Sequence, residues 1–120
     1  MRLSPQVVLM AAVLLWPLSG EAADLTPAQA PQHIGQTATV CGTVSSAHYA
    51  AQARGRPTFL NLGKPFPAET FTVLIWGRQR SAFGTPEKTL AGKRICVTGA
   101  IQKHGSGAEI VLRDPHQLAR

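Results

Sequence analysis

The chain has 120 residues, enough for one modest domain, and carries twelve Lys and Arg against six Asp and Glu, a net charge of +6. Acids so few and so scattered leave no paired-carboxylate acid/base site and no multi-carboxylate metal site. The positive balance favours polyanionic partners such as nucleic acid, anionic lipid or acidic glycan, and says nothing about fold.

Met1-Arg2, an apolar run over residues 7–15 and the small residues Ser19, Gly20, Ala22 and Ala23 have the anatomy of a secretory signal peptide, with the predicted cut after Ala22. The run falls short of the roughly 20 residues a spanning helix needs, so no stable membrane insertion is expected after cleavage. A periplasmic or secreted protein follows. Loss of residues 1–22 removes Arg2 and Glu21, leaving eleven basic against five acidic residues and the same +6.

Residues 23–32 hold Pro27 and Pro31 and read as a flexible or short helical lead-in, with Asp24 or Thr26 able to cap one turn. Residues 36–44 then form a strand rich in β-branched side chains around Gly42, where a bend would let one strand serve two sheets. The strand continues into a polar, basic loop ending near Arg56. Residues 57–62 alternate, with Thr58, Leu60 and Leu62 predicted inward and Phe59 and Asn61 outward. After a turn over 63–70, residues 71–76 give the strongest strand signal, with Phe71, Val73 and Ile75 on the buried side and Thr72, Leu74 and Trp76 opposite.

Residues 78–88 can hold one or two helical turns. A fourth strand, 94–101 and as far as His104, repeats the glycine-interrupted pattern at Gly99. Gly105-Ser106-Gly107 is a tight turn, 108–112 a fifth strand, and Asp114-Pro115 its stop. Cys41 and Cys96 lie in the two glycine-containing strands, and export would place them in an oxidising compartment. A disulfide between them would close a loop of about 55 residues, worth about 4 kcal/mol in the chain-entropy model. Two buried free thiols, or a zinc site with His33 or His104, are the alternatives; the zinc reading lacks close ligand spacing.

The order of these elements, carried by Val40-Cys41-Gly42-Thr43-Val44, Thr58-Phe59-Leu60-Asn61-Leu62-Gly63, the 71–76 strand, residues 90–99 and Glu109-Ile110-Val111-Leu112, resembles the nucleic-acid-binding OB-fold domains. Such modules are attached to tRNA synthetases, exonuclease subunits, helicases and some secreted nucleases. The resemblance spans 33–118 and implies a mainly β, five-stranded Greek-key barrel with a short helix between strands 3 and 4. In anticodon-binding members a phenylalanine of the second strand stacks on a base, and Phe59 occupies the matching place. Where that family has an aspartate and an arginine-containing turn, this chain has Asn61 and Gly63-Lys64.

The residues themselves nominate the same surface. Single-strand binding needs flat rings for bases and cations along the backbone path. Tyr49, Phe59 and Trp76 are the candidate rings, with Asn61 beside them; Arg54, Arg56, Arg78, Arg80 and Lys103 are the candidate cations. Single-stranded DNA or RNA is the expected partner, with an anionic glycan or an envelope protein as the alternative, or service as the accessory module of a secreted nuclease. No nucleophile motif or phosphate-cradling loop is present, so no catalytic residue, metal or cofactor is assigned and binding without catalysis is expected.

Overall fold

The structure, a computed structural model, describes residues 23–120. The predicted signal peptide lies outside the described residues. Seven strands form one curled sheet: β1 (Thr37–Tyr49), β2 (Thr58–Leu62), β3 (Phe71–Ile75), β4 (Arg94–Ala100), β5 (Gln102–His104), β6 (Gly107–Val111) and β7 (Leu118–Ala119). Their order is β5-β6-β3-β2-β1-β4-β7. Every pairing is antiparallel except β3 with β6.

The long first strand serves both halves of the sheet, as its composition suggests. Thr37 to Thr43 pair with β4, whereas Val44 to Tyr49 pair with β2, and the register shifts between Val44 and Ser46. Such an irregularity bends a strand and strengthens its twist. Gly42 stands beside the switch for a further reason. A Cβ there would lie 2.6 Å from Pro27 Cγ, so the missing side chain makes room for the preceding segment.

That segment takes the short helical form of the expected lead-in, with Gln29 N–H donating to Thr26 Oγ1 at 3.2 Å, and it also packs onto the barrel. Leu25 N–H donates to Thr39 O at 2.8 Å and Leu25 O accepts from Cys41 N–H at 3.0 Å, and a 3-10 turn at Ala30–His33 buries Ala30 completely. Part of the ladder edge that β1 leaves open, at Thr39 and Cys41, is thereby satisfied by the backbone of Leu25.

The fourth predicted strand divides. β4 pairs with β1 and β5 pairs with β6, so the segment changes partner at Ile101, which is buried and bonds in both directions to Gly35 and Gln36 at 2.8 Å. The turn falls there, while Gly99 stays in register opposite Ala38. Because β4 and β5 sit toward opposite ends of the strand order, this one segment carries the sheet round on itself. Past Asp114-Pro115 the chain returns, and β7 pairs with Cys96 and Val97.

Inside lie Val40, Val44, Leu60, Leu62, Phe71, Val73, Ile75, Ile95, Val97, Ile110 and Leu112, all at 1% exposure or less. Between β3 and β4, α1 (Gly77–Arg80), a 3-10 turn (Ser81–Phe83) and α2 (Pro86–Thr89) add Phe83 and Leu90 to the same cluster. The helical piece is therefore part of the core. Cys41 and Cys96 face each other across the β1–β4 ladder and are joined as a disulfide. That excludes the free-thiol reading and marks a chain matured under oxidising conditions. Asp24 lies beside the two sulfurs, yet bonded sulfurs are not the thiolates a zinc site requires.

Candidate functional site

Alternation along β1, β2 and β3 sends one set of side chains inward and the other to an open face. Register then sets the rows of that face: Ser46 beside Asn61 and Thr72, and His48 beside Phe59 and Leu74. In the middle is a bowl of about 690 Å³ lined by Ser46, His48, Phe59, Asn61, Phe66, Glu69 and His104, with Ala47 at its edge. Phe59 is half-buried in it, and Phe66, 72% exposed, stands on the rim.

A short hydrogen-bond chain fixes that rim. Thr72 Oγ1 donates to Asn61 Oδ1 at 2.9 Å, Asn61 Nδ2 donates to Ser46 Oγ at 3.0 Å, and Phe66 N–H donates to the same Ser46 Oγ at 3.0 Å. Asn61 lines the bowl but is only 5% exposed, and its amide is engaged in holding the β2–β3 loop. Burying an amide without partners is costly, and Thr72 and Ser46 supply them.

The two ends of the face differ in charge. At the Thr58 end, the β1–β2 loop and the start of α1 bring Arg56 and Arg78 to one cleft of about 340 Å³, with Arg54 exposed on the same loop. At the Leu62 end, the β2–β3 loop brings Glu69 and the last residue of β5 is His104. His104 Nδ1 lies 3.1 Å from Glu109 Oε1. Burial pushes the Glu109 carboxyl above its ordinary range, and His104 pulls it back only in part. No Lys or Arg lines the bowl among the described residues.

Four other predicted positions lie away from the bowl. Tyr49 and Arg80 engage each other: the guanidinium carbon stands 3.7 Å from the ring centroid, while Arg80 Nη2 bonds Glu87 Oε2 at 2.6 Å. Both are committed within the chain. The Trp76 ring covers Gly55, where an added Cβ would fall 2.9 Å from Cε3 and Cζ3, so it supports the β1–β2 loop. Lys103 is exposed but paired with Ala108, whose side chain is buried in the core, which puts it on the other parity from His104.

Of the nine predicted contacts, the structure brings Phe59 and Asn61 to the bowl and Arg56 and Arg78 to a separate cleft, with Arg54 exposed on the β1–β2 loop. Ser46, His48, Phe66, Glu69 and His104 were missed. Ser46 and His48 share the even parity of the buried Val40 and Val44, so strict alternation would turn them inward; the register shift between Val44 and Ser46 reverses the parity and sends them to the open face. The other three come from a loop and the end of a short distant strand, where periodicity carries no signal.

No family model and no curated protein matches the sequence. Among solved structures, the chain is similar to the OBody AM1L10 bound to hen egg-white lysozyme, at 17% identity and a TM-score of 0.51 over 81% of this chain and 88% of that one. It is also similar to an aspartyl-tRNA synthetase of Leishmania major Friedlin, at 12% identity and a TM-score of 0.55 over 87% of this chain. The matched part is 22% of the synthetase. At such identities the likeness is one of architecture: a mainly β, curled half-barrel with a short helical piece between β3 and β4, of the OB-fold kind.

Proposed function

We propose that this OB-fold-like binding module takes single-stranded nucleic acid across its open face. One base enters the bowl against Phe59 and Phe66, and neighbouring phosphates run toward Arg54, Arg56 and Arg78. The observation that carries the reading is the half-buried Phe59 ring lining an aromatic bowl, with a separate cleft that holds Arg56 and Arg78 at the Thr58 end of the same strand. Arg56 precedes Phe59 by three residues, so the two are no more than about 10 Å apart along the chain. That is within the reach of one or two nucleotides. The net charge of +6 supports steering of a polyanion, and the protein acts by binding alone in an oxidising compartment, periplasmic or extracellular.

A protein partner is the second reading. It is supported by the absence of Lys and Arg from the bowl and by the lysozyme-bound OBody among similar structures. Anisotropy titration with a fluorescent oligonucleotide separates the two. Nucleic-acid binding should weaken steeply with salt, and Arg56→Ala should reduce the slope of log K against log salt by about 0.7. Absence of binding at 20 mM salt, or binding that Phe59→Ala leaves unchanged, refutes the nucleic-acid reading.

A further inference from the structure

The bowl does not end at Glu69. A second, polar depression of about 190 Å³ adjoins it, lined by Thr70, Thr72, Gly105, Ser106 and Gly107, and Glu69 and His104 line both. An aromatic compartment thus opens onto a polar one, with a carboxylate at the junction. Glu69 makes no ion pair among the described residues, and its Oε1 is buried without a hydrogen-bond partner, an acceptor that the chain itself leaves unsatisfied. Lys64 and Lys103 are exposed on flanking segments and line neither depression.

A carboxylate in this position sorts the groups of a nucleotide by charge and by donor capacity. It repels phosphate, which leaves the basic end of the face to the backbone. It accepts hydrogen bonds from hydroxyls, and beside a stacked base the one sugar hydroxyl inside a chain is the ribose 2′-OH. Deoxyribose offers nothing there.

Resting on the nucleic-acid reading above, we infer that the module is selective for RNA over DNA, with Glu69 as the residue that reads the 2′-hydroxyl. The Ser106 hydroxyl and the β5–β6 turn form the rest of the sugar compartment. A hydrogen bond to a charged acceptor contributes a factor of about ten or more in affinity when its alternative is an unfilled site.

The test compares fluorescein-labelled oligo(rU), oligo(dU) and 2′-O-methyl oligo(U) of equal length at 50 mM salt, using the full mature chain. Oligo(rU) should bind about tenfold more tightly than either of the others. Glu69→Ala should bring all three within twofold of one another while leaving oligo(dU) as tight as before or tighter. Glu69→Gln, which keeps the size of the side chain, should narrow the preference as well and serves if the alanine variant fails to fold. Equal binding of oligo(rU) and oligo(dU) by the wild-type chain overturns the inference and leaves the nucleic-acid reading standing. So does 2′-O-methyl oligo(U) matching oligo(rU), since the donor would then be irrelevant. If none of the three binds even at 20 mM salt, both readings fall.

Discussion

The guanidinium of Arg80 lies over the ring of Tyr49, 3.7 Å from its centroid, and is held there by Glu87. Two residues that composition nominates for ligand contact instead clamp the helical piece to the end of β1. Arg80→Ala should therefore lower stability by about 1–2 kcal/mol, combining a cation–π contact with an ion pair whose side chains are 21% and 13% exposed. Urea melts measure the loss. Oligonucleotide affinity should stay within twofold, and a fall as large as that of Arg56→Ala would place Arg80 on the ligand.

Phe59 and Phe66 make distinguishable predictions. Base stacking contributes roughly 1–3 kcal/mol, so Phe59→Ala should weaken oligonucleotide binding by about ten- to a hundredfold. Phe66 is 72% exposed, and Phe66→Ala should lower affinity with almost no change in melting temperature. Calorimetry alongside titration checks both, and equal thermal losses would make the rim ring structural.

The disulfide closes a loop with a sequence separation of 55 residues. Replacing both cysteines by serine should cost about 4 kcal/mol by chain entropy, somewhat less if the unfolded chain keeps structure. In a domain of this size that is a large share of total stability. Reduction of the wild-type chain should produce a similar drop in the urea midpoint; an unchanged midpoint would show that the β1–β4 ladder holds without the bond.

Glu109 sets a pH dependence. Its folded-state pKa lies above the ordinary 4.5, chiefly through burial and against the pull of His104, so at neutral pH the charged carboxylate is held at a cost. That cost is relieved as pH falls through the raised value, and it vanishes below the ordinary one. Glu109→Gln should accordingly raise the melting temperature relative to wild type more at pH 8 than at pH 4.5. The opposite trend would mean that the His104 pair outweighs desolvation.

Much of the barrel was legible because inward and outward positions alternate: Thr58, Leu60, Leu62, Phe71, Val73 and Ile75 all have 0% exposure, as their parity requires. Parity tells which way a side chain leaves the backbone and nothing about what covers it afterwards. Asn61 and Trp76 leave outward and are then enclosed, one by Ser46 and Thr72, the other against Gly55. The short helical turn after Thr26 was legible, but not its packing: prolines and alanines carry no periodicity, and Pro27 and Ala30 are held by the space that Gly42 leaves and by the core. Glu69 and His104 meet only because the β2–β3 loop and the last residue of β5 share an end of the barrel, a fact of topology that no short motif records.

Ile101 joins the two halves of the sheet. Where two halves of a curled sheet are stitched by one uninterrupted run of backbone, sliding either half along its neighbour would drag the other with it. Pairing errors of a single residue, the usual weakness of short strands, are thus forbidden jointly in both ladders. An insertion of one residue beside Ile101 should scramble alignment on both flanks, while a similar insertion in the exposed β1–β2 loop would be absorbed locally.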